Sequence, residues 1–142
     1  MNHLHSTSCS GFKKHLSLVF FVFTSTYVVW QVNKRLPYVS LLIVVNGRVL
    51  TMKSGGLASG YDVKCGSPIY QAERVDASGD YYASAVSADG RNYISSQRGA
   101  VVVLDATSDK LNVHARNELK FSVFASSAIV DGVIYLRTDK YL

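Results

Sequence analysis

Three dipeptides set the frame of this chain. Asn46-Gly47, Asp89-Gly90 and Asp131-Gly132 lie 43 and 42 residues apart. Each sits between extended apolar runs, and Asn-Gly or Asp-Gly in that setting is a strong hairpin signal because both residues accept φ > 0. The period repeats elsewhere. Gly56 and Gly99 are 43 apart, and so are Asp62 and Asp105. After each turn comes an apolar strand: Val49-Leu50, Tyr93-Ile94, and Ile134-Tyr135-Leu136. A fixed repeat of about 40–50 residues built from strands and turns predicts the four-stranded blade of a β-propeller.

The central copy is the clearest. Residues 84–105 read as three strands joined at Asp89-Gly90 and at Arg98-Gly99. Val101 to Leu104 is an unbroken aliphatic run, as expected for a strand covered on both faces. The same logic predicts strands over 39–45, 48–53, 57–62 and 68–73 in the first blade. A polar loop over 75–80 should follow. The second blade should open over 81–88 and close over 111–116, with 117–120 leading to a third near Phe121. That spacing gives two complete blades and half of another. Propellers close with about 4–8 blades, so the expectation is a piece of a longer or truncated protein.

No Gly-His and Trp-Asp pairs of the WD40 kind occur, and Gly55-Gly56 alone does not make a kelch repeat. The run from Gly56 through Ala58, Tyr61, Asp62, Cys65, Gly66 and Tyr70 to Gln71 resembles instead the PQQ-like, quinoprotein-type repeat. Gly99 to Thr107 resembles a second copy. Ala125 to Thr138, with its Ala-Ile-Val-Asp-Gly core, is similar to the opening of a third, in the wording of BamB-like outer-membrane assembly propeller proteins. The resemblance covers about residues 29–142. Against the family pattern, Cys65 stands for Thr, Tyr70 for the blade-packing Trp, and Ala85 where Pro is common. The second copy lacks the Thr-Gly turn, having Thr107-Ser108-Asp109. Trp30-Gln31 fits the blade-end Trp position that precedes the first full copy.

The charge is lopsided. Residues 1–61 carry six Lys or Arg and no acid, whereas 62–142 carry nine basic and ten acidic residues. A nucleic-acid surface would put its basic excess on the folded repeats, so nucleic acid is not an expected partner. Lys13-Lys14 followed by the apolar run 16–30 has the form of an export signal or anchor, although the run is short for a bilayer span. Degenerate strands, or a misassigned start, remain alternatives for that run. Cys9 precedes the apolar core and so cannot be the acylated Cys of a lipoprotein signal. The expected organisation is a basic and apolar segment over 1–28 and propeller blades over 29–142.

Chemistry-bearing groups are few. His3 and His5 make only two ligands near a terminus, too few for a metal site. Asp62 and Asp105 read as turn acceptors of backbone N–H groups. Cys65 takes a turn position without a spaced His or Lys to activate it, and His114 sits on a strand. Tyr81, Tyr82, Tyr93, Phe121, Phe124 and Tyr135 recur at equivalent places and read as blade-to-blade packing. No Ser-His-Asp order, phosphate-binding loop or CxxC motif is present. The expectation is therefore no catalytic, cofactor or metal residue, and the residues identify no small-molecule substrate. The resemblance implies a non-catalytic scaffold in the cell envelope that binds proteins. The competing expectation is a fragment of a quinoprotein dehydrogenase acting on alcohols or sugars. That reading would require vicinal Cys residues, a Trp floor for the quinone and carboxylate ligands for Ca²⁺. A regulatory propeller attached to another domain is a third reading.

Overall fold

The computed structural model describes residues 30–32 and 42–142. His3, His5, Cys9, Lys13, Lys14 and the apolar run before Trp30 lie outside the described residues. Among the described residues ten strands form three sheets, and every neighbouring pair is antiparallel. The first sheet contains β1 (Leu42–Val45), β2 (Arg48–Lys53), β3 (Leu57–Asp62) and β4 (Pro68–Arg74), in that order. The second contains β5 (Val86–Ala88), β6 (Arg91–Ser95), β7 (Ala100–Asp105) and β8 (Val113–Glu118), again in chain order. The third is the hairpin of β9 (Ala128–Val130) and β10 (Val133–Tyr135). Meanders of this kind follow from short connections between consecutive strands.

The turn chemistry places the hairpins. Asn46 and Gly47 have φ of 49° and 71°, Asp89 and Gly90 49° and 69°, and Asp131 and Gly132 50° and 75°. Both central residues are left-handed, as a two-residue hairpin that matches strand twist demands. Their hydrogen bonds repeat as well. Val63 N donates to Gly47 O and Ala106 N to Gly90 O, both at 2.9 Å. Gln97 N donates to Asp80 O, and 42 residues on, Asp139 N donates to Ser122 O. The repeat read in residue types is thus also a repeat in backbone pairing.

Pleat parity divides each sheet into two faces. In β2, Leu50 and Met52 face forward, toward the second sheet. They meet Ile94, Val102 and Leu104 from its rear face in one buried cluster with Ala58. On the rear face of the first sheet, Val49 pairs with Tyr61 and Thr51 with Ser59, and all four are buried. Val101 to Leu104 are buried on both faces, as the aliphatic run requires. The core therefore lies between sheets rather than beneath one.

Several boundaries differ from expectation. The second sheet opens only at Val86, not at Tyr81. Tyr81 turns its hydroxyl into a hydrogen bond with Ala77 O at 2.5 Å, and Ser84 N goes to Ser126 Oγ, so neither joins a ladder. β8 runs two residues later than the pattern suggested, and Asn117 and Glu118 belong to it. The loop over 75–80 is not simply polar, since Val75 and Ala77 are buried in the same cluster as Leu50. β4 carries a bulge where Ala72 adopts φ 51°, and its N–H is taken by Ser59 Oγ at 2.9 Å. Bulges of this kind bend an outer strand and end its pairing.

Candidate interaction surface

The repeat residues are consumed by structure. Asp62 Oδ1 accepts the backbone N–H groups of Lys64 at 2.8 Å and Cys65 at 3.0 Å. One repeat on, Asp105 Oδ1 accepts those of Thr107 at 2.7 Å and Ser108 at 3.1 Å. The Thr107 hydroxyl adds a further bond of 2.7 Å. These bonds favour the carboxylate form. The Thr107 N–H, then its hydroxyl, with later help from Asn112 and Ser108, hold the Asp105 carboxyl down at about 2. His114 Nε2 lies 3.6 Å from Asp105 Oδ2, on a partly exposed strand. A carboxylate so committed is a turn anchor.

Gly56 and Gly99 serve the loops between blades. Both have positive φ, 73° and 90°. A Cβ on Gly56 would collide with Ala77 O, and one on Gly99 with the carbonyl oxygens of Leu119 and Phe121. The chain leaving each outer strand passes over the glycine that opens the third strand, and Val75 N and Leu119 N donate back to Gly56 O and Gly99 O at 2.9 Å. Glycine is required where backbone approaches backbone this closely.

Aromatic and ionic contacts tie the repeats together. Trp30 Nε1 donates to Val63 O at 2.7 Å, and its indole sits where a Cβ on Gly66 would fall, 6.2 Å from the Tyr61 ring. One repeat beyond Gly66 stands Asp109, whose carboxylate takes Arg48 of the first sheet at 2.6 Å. An ion pair thus stands where the first repeat has a glycine under an indole. Tyr70 lines a cavity of about 10 Å³ between the first two sheets, together with Arg48, Asn92 and Asp105. Burial, with Glu73 adding to it, pushes the Tyr70 hydroxyl up to about 12. The sequence marks Asp109 only as the residue one repeat beyond Gly66, and its partner Arg48 emerges from the packing of the two sheets.

The aromatics divide. Tyr81 is buried. Tyr82 and Phe124, 42 residues apart, stack at 6.4 Å but are largely exposed, and Tyr135 is also exposed. Phe121 meets Tyr141 edge-on at 4.9 Å. Beside Phe124, an open depression of about 360 Å³ is lined also by Ala125, Arg137, Thr138 and Asp139. No free thiol occurs among the described residues, so Cys65 is not a reactive cysteine. Among those residues no group of three or more His, Cys, Asp or Glu could hold a metal. No helix among them is long and apolar enough to cross a membrane. What the described surface offers is the third sheet, with Val130, Val133 and Tyr135 exposed on one face and Ile134 on the other, and Phe124 exposed ahead of it. Exposed apolar side chains gathered on one face are the kind of surface on which partners dock.

These sheets define an all-β, propeller-like protein of successive antiparallel blades. No protein-family profile matches the chain, and no curated protein sequence does. Among solved structures it is similar to BamB from Moraxella catarrhalis, at 18% identity and a TM-score of 0.54, over 68% of this chain and 29% of that one. It is also similar to the computationally designed Ika4 protein, at 13% identity and a TM-score of 0.53, over 71% of this chain and 60% of that one. The chain spans less than two thirds of either structure. At such identities the likeness establishes the fold and not a shared activity.

Proposed function

We propose that this chain is a non-catalytic propeller scaffold of the PQQ-like repeat kind, exported to the cell envelope, where it binds other proteins. The observation that carries the reading is the exposed apolar third sheet, set against repeat carboxylates that are occupied by their own turns. The likeness to BamB supports the envelope setting, and the segment over 1–28 supplies the export signal or anchor.

Fractionation of cells expressing the full chain tests the setting. The chain is expected with membranes or in the periplasm, and a soluble cytoplasmic pool alone would overturn it. Calorimetry with pyrroloquinoline quinone and Ca²⁺, alongside alcohol-dependent dye reduction, tests the chemistry. No binding and no turnover above a blank are expected. Stoichiometric quinone binding would replace the scaffold with a dehydrogenase fragment.

A further inference from the structure

The three hairpin turns share a backbone but not a side chain. Asn46 carries an amide where Asp89 and Asp131 carry a carboxyl, and the three φ values are 49°, 49° and 50°. Asn46 and Gly47 are exposed, and a Cβ on Gly47 would meet nothing within 4 Å. The pair that closes the hairpin is Val45 with Arg48, so the Gly47 N–H lies outside the ladder. An unhindered backbone nitrogen thus follows directly on a side-chain amide in open solvent. Asn92, Asn112 and Asn117 precede Tyr, Val and Glu, whose side chains crowd the next nitrogen. Asn92 is buried as well.

We propose that Asn46-Gly47 is a site of spontaneous covalent modification, at which the first turn acquires the carboxylate that the other two already have. The Gly47 nitrogen bonds to Asn46 Cγ, the Cγ–Nδ2 bond breaks, and the amide nitrogen leaves as ammonia with the proton from Gly47. Water then opens the five-membered imide. Breaking the new N–Cγ bond leaves aspartate. Breaking the original peptide bond leaves isoaspartate, whose main chain runs through Cβ and is one atom longer. Ring closure carries Asn46 out of the left-handed conformation, with its ψ of about +47°, so the turn must open first. The β1–β2 ladder and the Val63 N–H on Gly47 O at 2.9 Å resist that opening, and they set the rate. The two products differ in fit. Asp89 and Asp131 show that aspartate is at home in this turn, whereas a longer main chain cannot keep both the Val45–Arg48 pairing and the Gly47 O bond.

The proposal does not depend on the scaffold reading or on the location of the protein. Purified full chain held in mildly alkaline buffer, and sampled by ion exchange and peptide mass mapping, tests it. Ammonia should be released as a more acidic species grows in, with the change mapped to Asn46 while Asn92, Asn112 and Asn117 remain intact. Urea below the unfolding transition should speed the conversion. Asn46→Asp should melt with the parent and never form the acidic species. The isoaspartate fraction, labelled by protein isoaspartyl methyltransferase, should melt below the aspartate fraction. An Asn46 that stays intact, in urea or out of it, while a peptide of residues 42–51 converts in the same buffer would overturn the proposal. So would conversion first at Asn92, Asn112 or Asn117.

Discussion

Arg116 Nε donates to the carbonyl oxygen of Val75 at 2.5 Å, across 41 residues of chain. The guanidinium, on the outer strand of the second sheet, thereby holds the loop that leaves the first. Its other contact, Nη2 to Asp76 at 3.5 Å, is exposed. Exposed ion pairs contribute little, whereas a buried carbonyl stripped of its donor is costly. Arg116→Met should therefore destabilise the chain by about 1–3 kcal/mol, and Asp76→Asn by less than about 0.5 kcal/mol. Urea melts of the two variants distinguish them, and equal effects would refute the assignment.

Gly56 and Gly99 should be intolerant in a way that Gly47 is not. All three have positive φ, but a Cβ at Gly47 meets nothing within 4 Å, while the other two meet backbone carbonyls. Gly47→Ala should cost about 1–2 kcal/mol of left-handed strain. Gly56→Ala and Gly99→Ala should exceed it by at least about 1 kcal/mol, because the linker must also shift. Thermal melts of the three variants give the order.

Asn92 is the buried residue out of keeping with its equivalents. Val49 and Ile134 occupy the same place in the other sheets, and Asn92 Oδ1 is buried without a hydrogen-bond partner. Asn92→Val removes an unmet polar group and restores the repeat. It should stabilise the chain by about 1 kcal/mol. A destabilised variant in denaturant titration would show that the amide is satisfied after all.

Acid stability should depend on Asp105. Its folded value is lowered to about 2, so its contribution is present above the unfolded carboxylate value near 4 and is lost as pH falls through about 2. Asp105→Asn should flatten the stability curve across that window. Tyr81, pushed up to about 12 by burial, acts in the opposite range. The folded state holds its proton more tightly, so stability is lost as pH rises from about 10 to about 12.

The turns were legible because they are local chemistry: Asn or Asp before Gly leaves a two-residue hairpin few alternatives. β7 was legible because four aliphatic residues in a row admit one environment. β5 was not, because Tyr81 to Ala85 look like a strand yet send their polar groups to Ala77 O and Ser126 Oγ. The buried Val75 and Ala77 were hidden for a related reason. They are buried by a crossing over Gly56, which no short-range pattern records. The third sheet was placed correctly by its turn, but the exposure of Val133 and Tyr135 depends on what packs next, and that is not a property of their own sequence.

Stacking each sheet on the one before makes the chain a ladder rather than a ball. β1 lies beside β5, and β5 beside β9. In such an array cohesion is the sum of each unit and its contacts with neighbours. Among the described residues the hairpin of β9 and β10 packs against the second sheet through β5, and as a two-stranded unit it is the rung that opens first. Amide protons should exchange fastest there and slowest along β3 and β7, and a pull on the C-terminus should unzip the molecule one rung at a time.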